Sequence, residues 1–208
     1  MRSFSLNDIQ NMARIPRLTL INTISGFKSG NLIGTVNTEG VTNLALFSSA
    51  IHIGSEPPLI GLITRPIVED GKTSRHTYQN IKNTRFFTIN HINSDIIEQA
   101  HQTSASYPDA VSEFEAVGLT PQYLGSNPAP FVLESHIKMG LEYVEEYFIE
   151  ANKTILVIGK VIELHLPDDS LDEASNLDLA YAKTVAISGL DTYHTTEMVK
   201  RLPYARVK

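Results

Sequence analysis

The stretch NLALFSSAIHIGSEPPL, Asn43 to Leu59, decides how the rest of this chain is read. A strand covered on one face alternates apolar and polar positions, and a strand covered on both faces runs apolar throughout. This run does neither, because two adjacent serines, Ser48 and Ser49, interrupt an otherwise apolar segment. Either their hydroxyls are satisfied inside a core, or something polar lies against the strand.

Working outward, NLIGTV (31–36), the turn NTEG (37–40) and the run from Val41 to Gly54 read as two β-runs around a glycine-bearing turn, the signature of a hairpin. PPLIGLITR (57–65), opened by two prolines, reads as a third strand. Upstream, Ser5 caps a short helix reaching Arg14, limited by Pro16. Downstream, 66–74 is a polar loop and HTYQNIKNT (76–84) a helix with Tyr78 and Ile81 at helical spacing. RFFTINHI (85–92) follows as a strand, and SDIIEQAHQT (94–103) as a helix capped by Ser94 and Asp95.

Residues 104–130, rich in Pro, Gly, Ser and Asp, read as a surface excursion with a brief helix at EFEAVG (113–118). MGLEYVEEYFIEA (139–151) places Leu141, Tyr143, Tyr147 and Ile149 on one side and Glu142, Glu146 and Glu150 on the other. With TILVIGKVIELHL (154–166) it makes a second hairpin, and VAISGLDTYH (185–194) adds a short strand. Hairpin-joined strands with inserted helices imply a mainly β fold, an antiparallel barrel that is closed or partly closed. The expected organisation is one domain over residues 1–208, with 167–208 as its C-terminal extension.

Composition narrows the function. The 17 Lys and Arg against 23 Asp and Glu leave a net charge of -6, so no global basic field recruits nucleic acid or an anionic membrane. There is no cysteine, which removes disulfides, thiolate metal sites and cysteine nucleophiles together. The start MRSFSLNDIQ lacks a signal-type apolar core and no run is long enough to span a bilayer, so a cytoplasmic protein is expected. Neither GxGxxG nor GxxxxGK[ST] occurs, and the seven histidines form no close pair on a helix face. No metal ligand and no catalytic side chain is assigned.

TRPIVEDGKTSRHTYQN (64–80) carries more information, because Arg65, Lys72 and Arg75 precede a helix whose first residues include Thr77. Unpaired N–H groups at a helix start, with cations and a hydroxyl beside them, make a phosphate site. The same residues are also compatible with a solvated basic loop and a threonine cap.

NLALFSS (43–49), PPLI (57–60) and RHTYQNI (75–81), in that order, resemble the flavin reductase-like family, which has the FMN-binding split-barrel fold. The resemblance continues through FFTINHI (86–92) and SEFEAVGLTP (112–121) to the strand pair ending near Leu166. It implies that Asn43, Leu44, Ala45, Leu46 and Phe47 run along the edge of the isoalloxazine and offer backbone groups to it. Ser48 and Ser49 would face the ribityl and phosphate groups. Arg75 and Thr77 match the residues that serve the phosphate, with Arg65 near enough to assist, and Asn90 matches an asparagine close to the flavin. His76 departs from the family pattern, where many members have aspartate.

The resemblance further implies an FMN-dependent oxidoreductase that takes hydride from NADH or NADPH and passes electrons to free flavin, oxygen or another acceptor. The cofactor carries that chemistry, so no side-chain triad is needed. The alternatives are an FMN protein for electron transfer or storage without catalysis, and a barrel that binds something else. A homodimer is expected, with Phe27, Tyr193 and His194 shaping access to the ring.

Overall fold

The computed structural model describes residues 1–65, 76–108 and 110–207. In chain order its first elements are α1 (Leu6–Asn11), α2 (Arg14–Thr23), β1 (Lys28–Ser29), β2 (Asn31–Val36), β3 (Thr42–Phe47), β4 (Ala50–Ser55), β5 (Pro58–Thr64), α3 (His76–Thr84) and β6 (Phe86–His91). There follow α4 (Ile97–Gln102), α5 (Glu113–Val117), β7 (Pro121–Gln122), β8 (Phe131–Val132), β9 (Lys138–Ile149), β10 (Thr154–His165), β11 (Val185–Ser188) and β12 (Thr192–Thr195).

Seven strands form one antiparallel sheet in the order β3-β2-β6-β9-β10-β5-β4. Two of its hairpins are the expected ones, with Val36 paired to Thr42 across the first turn and Ile149 to Thr154 across the second, and a third joins β4 to β5. The run from Val41 to Gly54, however, is two strands. β3 and β4 are consecutive in sequence yet lie at opposite edges of the sheet, and Ser48 and Ser49 are the joint between them. The joint is stitched to β5, since Ile63 N–H donates to Ser49 O at 3.3 Å and Ser49 Oγ donates to Ile63 O at 2.9 Å. A single stretch of chain can serve both edges only if the sheet curls until they approach each other, which is how a barrel closes.

Inside the curl lie Ile33, Leu62, Phe87, Ile89, Leu141 and Val157, and outside it a second core gathers Leu32, Leu44, Ile92, Phe114, Val132 and Val185. Strand β2 therefore buries both faces, so its sequence shows no alternation. Gly34 sits where the layers meet: a Cβ there would fall 2.2 Å from Pro130 O. Gly159 similarly leaves room for the Phe87 ring, whose Cζ would lie 2.5 Å from an added Cβ.

Four further expectations are corrected. Pro16 does not limit a helix but stands in the first turn of α2, where its missing N–H has no helical partner to lose. α4 begins at Ile97 without a side-chain cap, because Asp95 N–H donates to Asn93 Oδ1 at 2.9 Å in a turn and the Asp95 carboxylate pairs with Lys183 at 2.7 Å. The alternation of β9 fails beyond Tyr143: a register shift opposite Ile158 and Gly159 leaves Val144 as an extra residue. That bulge reverses the phase, exposing Tyr147 and turning Glu146 toward Tyr78 and Lys82. Finally, 104–130 is a surface excursion only in part: it is largely exposed and carries the expected brief helix, α5, but Phe114, Leu119 and Ala129 within it are buried.

Candidate cofactor pocket

The Ser48–Ser49 joint overlooks a cavity of about 990 Å³. Its walls are the cavity side of β3, the end of β5 with Thr64 and Arg65, the start of α3, and the stretch from Thr103 to Pro108. Leu190, in the turn between β11 and β12, reaches the cavity as well.

Buried polar contacts hold the walls in register. Asn43 Nδ2 donates to Thr77 Oγ1 at 3.0 Å and to Thr35 Oγ1 at 3.3 Å, and Asn80 Nδ2 donates to Thr35 Oγ1 at 3.1 Å. The first turn of α3 is thereby fastened to β3. On another wall Leu44 N–H donates to Glu113 Oε2 at 3.0 Å, and Ser112 and Thr42 share a hydroxyl hydrogen bond of 2.7 Å. Burial pushes the Glu113 carboxyl above the usual carboxylate range, and the Leu44 amide and the charge of His76 pull it back down. Tyr78, also at the cavity, donates to Glu146 Oε1 at 3.0 Å, and burial followed by that carboxylate pushes its phenol up.

Of the residues singled out from sequence, Asn43, Ala45, Leu46, Phe47, Ser48, Ser49, Arg65, His76 and Thr77 all line this cavity. Leu44 turns its side chain into the outer core and touches the site only through its amide, bound to Glu113. Asn90 is not at the cavity. It is fully buried, its Nδ2 donating to Leu32 O and Thr88 Oγ1 and its Oδ1 accepting from Val132 N–H, so it brackets β2, β6 and β8. Arg75 lies outside the described residues. Phe27, Tyr193 and His194 are not among the residues that line the cavity: Phe27 packs edge-on against His194 at 4.8 Å, and Tyr193 bonds His101 at 3.0 Å.

Sequence reading missed Glu113, Leu190 and the 103–108 wall. Ser104, Ser106 and Pro108 carry ordinary loop chemistry, and only the fold turns that loop inward. For Glu113 a signal existed, an acidic residue opening a short helix beside Phe114, but nothing local tells a buried first-turn glutamate from a solvated one.

As a donor set the cavity combines a helix N-terminus, Arg65, His76, several hydroxyls, strand-edge peptide groups and a single lining carboxylate among the described residues. It suits an elongated ligand with an anionic end, a polar chain and a flat hydrogen-bonding ring.

Comparison with known proteins agrees with this geometry. The model of the flavin reductase like domain matches residues 24–186. A structure from Shewanella frigidimarina NCIMB 400, assigned as a flavin reductase with split barrel domain, shares 47% identity, covers 99% of this chain and 100% of its own, and superposes with a TM-score of 0.93. Two more distant structures share the fold. Nitrilotriacetate monooxygenase component B from Bacillus cereus has 21% identity, coverage of 97% and 98%, and a TM-score of 0.81. An FMN-binding protein from Thermus thermophilus has 17% identity, coverage of 98% and 100%, and a TM-score of 0.74.

Proposed function

This chain belongs to the flavin reductase like domain family, as an FMN-binding oxidoreductase of flavin reductase type, and we propose that NADH or NADPH reduces it and that the cavity under the Ser48–Ser49 joint holds the FMN. The observation that carries the placement is the meeting, in one cavity, of the β3 edge, the joint hydroxyls and the start of α3. The fit is good by size, since small-ligand sites run to about 1,000 Å³. It is also good by chemistry. Thr77 and the amides at the α3 start, with Arg65, would hold the phosphate, joined by Arg75 as the family resemblance implies, Ser48 and Ser49 the ribityl hydroxyls, and the β3 backbone the polar end of the ring.

Bound FMN supplies the hydride-accepting ring. The chain's own residues fix its position and limit water around it. Asn43 keeps the phosphate-side helix against β3, and the 103–108 wall and Leu190 line the cavity that a nicotinamide must approach. Fixed peptide donors along β3 favour negative charge that develops at the polar end of the ring.

Anaerobic mixing of FMN-loaded protein with NADH and then NADPH tests this reading. Rapid bleaching of the visible absorbance by either nucleotide is expected, with free flavin, oxygen and candidate acceptors then compared as electron sinks. Bleaching by dithionite alone would put an electron-transfer or storage role in its place.

The working unit we propose is a homodimer in the cytoplasm. Ile51 and Ile53 on β4, with Val144 on β9, leave apolar side chains 39–44% exposed, and a two-fold partner would cover them. Light scattering is expected to give twice the chain mass of 23.0 kDa. Among the described residues no helix is long and apolar enough to cross a membrane. Cell fractionation can check the cytoplasmic placement.

A further inference from the structure

Strand β3 is an edge of the seven-stranded sheet, and an edge strand presents peptide groups with no ladder partner. Which groups these are follows from the register. Asn37 N–H donates to Val41 O at 3.0 Å, and beyond this closing pair Thr35 stands opposite Asn43 and Ile33 opposite Ala45. Hydrogen-bonded and non-bonded pairs alternate along an antiparallel ladder. Asn43 and Ala45 therefore bond inward to β2, and the N–H and C=O groups of Leu44 and Leu46 point off the edge.

The two positions differ in what meets them. Leu44 N–H is taken by Glu113 Oε2 at 3.0 Å, from a side chain 69 residues away that is itself buried. Leu46 lines the cavity. The helix carrying Glu113 is held in place by the Ser112–Thr42 hydrogen bond of 2.7 Å and by Phe114, fully buried in the outer core.

We propose that Glu113 is a positioning residue that caps the β3 edge at Leu44 and leaves the Leu46 peptide as the docking pair for the ring of FMN. This rests on the FMN reading above. Leu44 and Leu46 repeat the same donor and acceptor pattern two residues apart, a spacing of about 7 Å along a strand. A ring that reads one N–H and C=O pair could settle at either. Occupying Leu44 with a carboxylate removes the second choice, and because a charged acceptor forms the stronger hydrogen bond, the ring cannot readily displace it.

The test uses Glu113→Ala, Glu113→Asp and Glu113→Gln in the full chain, with two readouts. The first is exchange of the Leu44 amide in flavin-free protein. It should quicken at least tenfold in the alanine and aspartate variants, the latter keeping the charge but losing a methylene of reach. It should stay within about threefold of wild type in the glutamine variant, whose amide oxygen can still accept. The second is FMN affinity and the vibronic structure of the bound-flavin spectrum. Affinity should fall about tenfold, with a blurred spectrum, in the alanine and aspartate variants and recover in glutamine. Unchanged Leu44 exchange in Glu113→Ala would overturn the capping contact. Faster exchange with unchanged affinity and spectrum would overturn its role in docking, as would equal losses in the glutamine and alanine variants. Wild-type protein that takes up no FMN would sink the FMN reading and the docking role with it, while the exchange readout still judges the cap. If Glu113→Ala does not fold, the aspartate and glutamine pair decides alone.

Discussion

The two edges of the main sheet come from one uninterrupted run of sequence and share almost nothing else. β3 lies under α3 and α5, buries Asn43 and Leu44, has its outward amide at Leu44 occupied, and lines the cavity with Asn43 and with Ala45 to Phe47. β4, begun three residues after β3 ends, is mostly exposed and carries Ile51 and Ile53 into solvent. Both segments carry strand-favouring residues, Thr42 and Phe47 in one and Ile51 and Ile53 in the other. What distinguishes them is what packs over each, so the same kind of edge becomes a cavity wall in one place and an exposed apolar face in the other.

Truncating each edge should break the symmetry most visibly. Leu44→Ala removes a fully buried side chain from the outer core and is expected to cost about 2–5 kcal/mol in denaturant unfolding. Ile51→Ser, on a side chain 44% exposed, should leave monomer stability within about 0.5 kcal/mol and instead weaken dimerisation, read by light scattering over a dilution series. Equal costs would mean that the contrast between the edges lies elsewhere.

A smaller effect sharpens the ligand side. Thr77→Ala removes a hydroxyl at the α3 start that also accepts from Asn43, and FMN affinity should fall about tenfold, roughly 1.4 kcal/mol. Riboflavin, which lacks the phosphate, should lose much less. A parallel fall for both ligands would move the phosphate away from α3. Arg75→Ala should act in the same direction.

The third effect tests how dry the β3 side of the sheet is. His91 ends β6 opposite Asn31 of β2, and burial pushes its imidazole down to about 4 from an ordinary value of 6.5. The unfolded chain therefore binds a proton at higher pH than the folded one, so this contribution is fully present above pH 6.5 and is lost as pH falls toward 4. The full shift is worth ~3 kcal/mol, and the solvent contact that His91 retains reduces the expected loss to about 1–2 kcal/mol. Denaturant midpoints across that window should show the step in wild type and not in His91→Gln. Glu113 has the opposite dependence: with its carboxyl raised, its contribution is present at low pH and declines as pH rises through its folded value. Glu113→Gln should remove that decline.

Much of this was legible in the chain because the signals are local. Turn residues at 37–40 and 150–153, helical spacing in 76–84 and apolar strands on either side specify two hairpins and α3 over short distances. The ordered motifs at 43–49, 57–60 and 75–81 pointed to the family, and most residues taken from them do line one cavity. Where local pattern misled, a residue outside the window had intervened. The bulge at Val144 inverted half a strand, and Asn93 and Lys183 took Asp95 away from the helix it was expected to cap.

The sequence by itself determined the antiparallel β character, the hairpins and helix α3, which follow from spacing along the chain, and the family, which follows from the resemblance of its ordered motifs. Only the tertiary structure decided that Ser48 and Ser49 are the joint between opposite edges of a curled sheet, that Asn90 is a core bracket set back from the cavity, and that Glu113 reaches the Leu44 amide across 69 residues of chain. The physical reason is closure. A sheet that rolls onto itself brings together groups whose separation in sequence leaves no periodic trace, and whether a serine, an asparagine or a glutamate meets a ligand, a backbone or water is settled only when the edges meet.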